Sequence, residues 1–132
     1  MKWKDKKIIC YVVGACRPLS DPLTIKVCRG IDHAIDILTH ELIHQMQSQV
    51  DDKKWNKWLS FLNSKYPNES NLTKSHVFLN AVHKKIYLEL FNDDRFKRDV
   101  ENSNVSAGYR DSWKIVDEWG YENIIKKFKA IT

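Results

Sequence analysis

A chain of 132 residues is long enough to bury one apolar core without disulfides or structural metal, and it predicts a single domain over residues 1–132. With 42% apolar residues, 30% charged residues and five each of Trp, Tyr and Phe, it is too aromatic for a disordered chain. The net charge of +5 and pI near 9.1 attract anions, but acidic pairs (Asp51-Asp52, Asp93-Asp94) interrupt the runs Lys2-Lys4-Lys6-Lys7, Lys53-Lys54 and Lys126-Lys127, which disfavours a dedicated nucleic-acid stripe.

The start, "MKWKDKKIICYVVGAC", has a basic arm and a short apolar run. That run sits at the lower limit for the core of an export signal and is followed by Arg17-Pro18, so KIICYVV, residues 7–13, is read as a strand. After the turn region Arg17 to Pro22, LTIKVC, residues 23–28, reads as a second strand. The fold class expected is α+β and mostly helical, with a small N-terminal β-hairpin or sheet on a helical body. Cys10, Cys16 and Cys28 form no C-x-x-C and leave an odd thiol, which points to a reducing, cytoplasmic setting. No segment is long enough to span a membrane. The sequons at Asn68, Asn71 and Asn104 carry no meaning without export.

Gly30 breaks the chain, and Asp32 is the expected cap of a helix to about Gln49, with Ile31, Ile35, Leu38, Leu42 and Met46 on one apolar face. Asp52 to Ser64 predicts a second helix with Trp55, Trp58, Leu59 and Leu62 inward, ended by Tyr66-Pro67-Asn68. A long helix follows from about Thr73 to Phe91, with Leu79, Val82, Ile86 and Leu90 as its core stripe and Asn92-Asp93-Asp94 as its stop. Arg95 to Glu101 predicts one or two further turns and Ser103 to Gly108 a loop. Two short helices then meet at Gly120. The five Trp, including Trp3, Trp113 and Trp119, are expected to pack, and His33 to be exposed.

The chemistry concentrates in His40, Glu41 and His44, an H-E-x-x-H run on the first helix. Residues four apart lie one turn apart on one face, so both imidazoles can approach a single zinc ion at about 2.0 to 2.1 Å. Glu41 is turned away from that pair, placed to act as general base toward a water in the open coordination position. Asp36, one turn earlier, is read as helix-end charge with no role.

A peptidase site keeps three protein ligands. On the long helix His76, Asn80, His83 and Tyr87 fall within about 60° of one another, beside the apolar stripe. His76 is the expected third ligand, with Asn80 one turn on to orient its ring. His83, roughly 10 Å further along, suits an oxyanion donor, with Tyr87 and Tyr109 as weaker candidates. His83, Glu69 and Glu89 are the rivals for third ligand.

The stretch Ile37 to Gln45, "ILTHELIHQ", resembles the active-site helix of zincin metallopeptidases, and the small size is similar to that of the minigluzincins. That resemblance implies a zinc-dependent endopeptidase acting on peptide or protein substrate, with a strand before the motif helix to receive extended substrate. It makes His40 and His44 ligands and Glu41 the base, with a third ligand from a following helix. Gluzincins use a glutamate there; His76-x-x-x-Asn80 fits the spacing but not the residue type. Gln47 and Val50 stand where the longer metzincin motif continues with Gly and His. Competing readings are a basic nucleic-acid-associated protein, including a protease acting on DNA-bound proteins, and a non-catalytic helical interaction module.

Overall fold

The computed structural model describes residues 7–15, 17–27, 30–103 and 106–131. Trp3, Cys16, Cys28 and the Asn104 sequon lie outside them, as do Lys2, Lys4 and Lys6. Six helices and one small three-stranded sheet make up the described secondary structure, so the chain is α+β and mostly helical. Its packing divides into two compact units, one ending at Val50 and one beginning at Asp51.

In the first unit, β1 (Tyr11–Val13), β2 (Leu19–Ser20) and β3 (Leu23–Lys26) form a sheet in the order β1-β3-β2. The two strands read from the sequence are not hairpin partners. β1 pairs β3 in parallel, Tyr11 opposite Thr24 and Val13 opposite Lys26. The hairpin is instead β2 with β3, Leu19 opposite Thr24 and Ser20 opposite Leu23. The turn between them holds Pro22, whose missing N–H costs nothing there, and Thr24 Oγ1 donates to the Pro22 carbonyl at 2.9 Å. A two-residue strand leaves too short a pattern to read in advance. Leu23 and Ile25, alternating along β3, are buried, and α1 (Ile31–Ser48) packs against β2 and β3.

Gly30, not Asp32, caps α1, at φ 94°, a left-handed conformation that glycine adopts without a Cβ clash. The expected apolar face is not the buried one. Ile31 is 75% exposed and Ile35, Leu38, Leu42 and Met46 are half-buried, whereas Ala34, Asp36, Glu41, Ile43 and Gln47 are buried. At 100° per residue Ala34 and Glu41 lie on one flank, and Asp36, Ile43 and Gln47 on nearly the opposite one. A helix covered on two flanks does not announce its core by a single apolar stripe.

In the second unit, α2 (Asp52–Lys65) is capped by Asp51, which accepts from the backbone N–H of Lys53 and Lys54 at 3.0 and 3.4 Å. Its Trp58 and Leu62 are fully buried. Next, α3 (Asn71–Leu90) starts two residues before the expected point because Ser70 caps it, its Oγ accepting from Thr73 N–H at 3.0 Å. The Asn92-Asp93-Asp94 stop also begins α4 (Asp93–Ser103): Asn92 Oδ1 accepts from Arg95 N–H at 2.8 Å. This helix is longer than the one or two turns expected. Two more follow, α5 (Ala107–Trp119) and α6 (Tyr121–Ile131), and they meet at Gly120 with φ 85°.

The central element is α3, which packs against α2, α4, α5 and α6. Its burial therefore extends round most of the helix: Val77, Phe78, Leu79, Ala81 and Tyr87 are buried, and so are His76, Asn80 and His83. Of the expected stripe only Leu79 is fully buried, Val82 and Ile86 are half-buried, and Leu90 is 71% exposed. Phe78 stacks on Phe128 of α6 with centroids 3.9 Å apart, and Trp58 meets Phe128 edge-on at 5.4 Å.

Candidate metal centre

The first unit presents the motif as the helix geometry requires. His40 and His44 project from successive turns of α1 with ring centroids 4.8 Å apart and planes at 78°, and each is half-buried. A ring nitrogen of each lies within 4.8 Å of one on the other. That is a spacing a small rotamer adjustment converts into two bonds to one ion.

Glu41 points to a different flank and is 8% exposed. Loss of water around it raises its carboxyl from 4.5 to about 7, and the positive charge of Arg17 opposes part of that rise. Gln45, one turn after Glu41, explains how this flank is held: its Nε2 donates to the Ser20 carbonyl in β2, tying the motif helix to the sheet hairpin. The buried carboxylate thus stands beside the edge of a small sheet, with a proton affinity near neutrality. Asp36, read from the sequence as helix-end charge with no role, is buried, 9% exposed, one turn before His40. Hydrophobic periodicity could not reveal it, but the D-x-x-x-H spacing is a legible signal.

In the second unit, His76 is 5% exposed on the second turn of α3. Its Nδ1 lies 2.8 Å from the Leu72 carbonyl, which can only accept, so Nδ1 carries the proton and Nε2 the lone pair. Ser75 Oγ lies 3.1 Å from the same Nδ1 and donates to the same carbonyl at 2.9 Å. Burial lowers the pKa of His76, the Leu72 bond opposing it, so the ring stays neutral in ordinary conditions. This is the protonation state a ligating imidazole requires, with the second nitrogen fixed by a carbonyl. The edge of the ring also meets Tyr109 of α5, centroids 4.7 Å apart and planes at 77°.

The other polar residues of α3 have different tasks from those expected. Asn80 does not orient His76; its Nδ2 donates to Ser112 Oγ of α5 at 2.7 Å, and Ser112 in turn donates to the Tyr109 carbonyl at 2.8 Å. His83 Nε2 lies 2.9 Å from Asp99 Oδ2 of α4, both groups buried, so it serves the α3–α4 contact rather than an oxyanion. Tyr87 is fully buried against His83, Phe91 and Phe96. Glu89 is exposed and paired with Lys85. Glu69 sits half-buried in the turn before α3, where its backbone N–H bonds the Tyr66 carbonyl at 3.2 Å. Among the described residues no helix is long and apolar enough to cross a membrane.

The residues are of kinds that zinc takes: the imidazoles of His40 and His44 on α1, with the carboxyl of Glu41 on the same helix, and in the second unit the imidazole of His76. No family model matches the chain, and neither a curated protein nor a solved structure was found to be similar to it.

Proposed function

We propose that the chain is a zinc-dependent metallopeptidase with a zincin-like helical body, in which His40 and His44 hold the ion, His76 completes the donor set and Glu41 is the general base. The observation that carries this reading is the juxtaposition on α1: two half-buried imidazoles one turn apart, and between them in sequence a buried carboxyl raised to about 7. A structural helix gains nothing from burying a glutamate at that position, because desolvating a carboxylate costs stability.

When bound, the ion would supply a Lewis acid that acidifies water and polarises a peptide carbonyl. Glu41 accepts the water proton on its carboxylate and returns it to the departing amine, a task suited to a group that titrates near neutral pH. His76, its Nδ1 held by Leu72, offers Nε2 in a fixed direction, and Asp36 is placed one turn before His40 to orient that ring. The substrate is peptide or protein. The exposed free thiol of Cys10 is in keeping with a reducing, cytoplasmic setting.

Protein purified without added metal, then titrated with zinc, is expected to take up one equivalent. Glu41→Gln should keep that equivalent and lose hydrolysis of an unfolded protein substrate. Less than half an equivalent with no gain on titration, or hydrolysis retained in Glu41→Gln, overturns the reading.

A further inference from the structure

A row of lysines runs along α2 and is joined by one from α6. Lys54, Lys57, Phe61 and Lys65 follow one another at intervals of three, four and four residues, which places them on a single stripe of α2. The stripe is roughly 16 Å long at 1.5 Å per residue. From α6, Lys127 reaches the same stripe, its Nζ 4.9 Å from the Phe61 ring centroid. Lys65 Nζ lies 3.4 Å from the Trp119 centroid, 5.5 Å from that of Tyr66 and 6.0 Å from that of Phe61. All four lysines are exposed, and Phe61, Tyr66 and Trp119 are half-buried, so each aromatic keeps part of a ring open.

Among the described residues no carboxylate is ion-paired with Lys54, Lys57, Lys65 or Lys127, although other lysines of this unit are paired, half-buried Lys84 with Asp117 and exposed Lys97 with Asp93. Two ammonium groups converging on one ring repel each other, and the charge of Lys127, after desolvation against the rings, lowers the pKa of Lys65. The rings themselves are anchored: Trp58, fully buried, stacks on both Phe61 and Trp119, at 5.7 and 6.2 Å. Glu69 and Glu118, whose charges act on Tyr66, mark the acidic end of the stripe.

A row of unpaired cations beside rigid, partly open aromatic rings matches a polyanion whose charges repeat and whose other groups are flat. We propose that this stripe binds single-stranded nucleic acid, the lysines holding successive phosphates and Phe61 and Trp119 accepting unstacked bases. A duplex keeps its bases stacked and has no use for the rings, and an acidic peptide has no flat group at each anion. On binding, a base takes the ring face over which an ammonium now sits, and that ammonium moves to the adjacent phosphate. The site lies wholly in the second unit and does not depend on the metal centre.

The test is fluorescence anisotropy of a labelled twelve-residue oligothymidylate with the full chain, metal-free and zinc-loaded, between 50 and 200 mM salt, roughly the range over which counterion release is read. Four phosphate contacts at about 0.7 each predict a log–log salt slope near −3. The double variant Lys65→Gln/Lys127→Gln should weaken binding at least tenfold, to a slope of about −1.4. Phe61→Leu should weaken it about fivefold or more with the slope unchanged. Lys84→Gln/Lys97→Gln, a loss of equal charge elsewhere on the same unit, should change neither. Equal weakening in that control, an unmoved slope in the double variant, or tighter binding to a duplex or to polyglutamate overturns the proposal. These surface substitutions leave the core intact, and circular dichroism of each variant verifies it.

Discussion

Asn80 and Ser112, both buried, join α3 to α5 through a 2.7 Å hydrogen bond, and Ser112 passes the connection to the Tyr109 carbonyl. The helix that carries His76 is thereby fixed to the helix whose Tyr109 ring abuts it. Asn80, one turn after His76, holds the neighbour of that ring rather than the ring itself.

If Tyr109 restrains the His76 ring by its edge contact, removal of the ring should loosen a ligand while replacement by another ring should not. Tyr109→Ala is expected to lower zinc affinity about tenfold or more, and Tyr109→Phe to retain it within about twofold, as measured by competition with a chromophoric chelator. Equal affinities in the two variants would remove the restraint.

Glu41 yields a prediction about stability. Its carboxyl titrates near 7 in the folded protein and near 4.5 as the reference value, so between those limits the folded state holds more protons than the unfolded one. Stability contributed by the protonated group is present below about pH 4.5 and is lost as pH rises through 7. In chelator-treated protein, Glu41→Gln should therefore melt several degrees above the parent chain at pH 8, and the difference should shrink toward pH 4.5. A Tm difference that does not vary with pH would contradict a buried carboxyl whose desolvation outweighs the charge of Arg17.

His76 separates ligand from packing residue. Replacement by Leu fills a buried site with an apolar group of similar size, which should cost little or even gain stability, since it removes buried polar atoms. Zinc affinity should nonetheless fall by at least about a hundredfold, as expected when one of three protein ligands is lost. Unchanged affinity in His76→Leu, measured by the same chelator competition, assigns the third ligand elsewhere.

Phe128, buried between Phe78 and Trp58, should be among the most costly deletions in the second unit. Phe128→Ala is expected to destabilise by about 3–5 kcal/mol in urea unfolding, through lost burial and the cavity left behind. A cost below about 1 kcal/mol would mean that the aromatic cluster closes over the gap.

Local signals in the chain were sufficient for much of the architecture. Gly30 opens α1 and Gly120 separates α5 from α6 where the left-handed backbone needs glycine, Pro67 follows the end of α2, and the H-E-x-x-H register places His40 and His44 on one face by helical arithmetic alone. Tertiary packing decided the rest, because burial depends on how many sides of an element are covered and linear periodicity assumes one. That is why Asp36 and Glu41 are interior where an apolar stripe was expected, why Asn80 and His83 serve Ser112 and Asp99, and why Lys127, distant in sequence, comes to rest on Phe61.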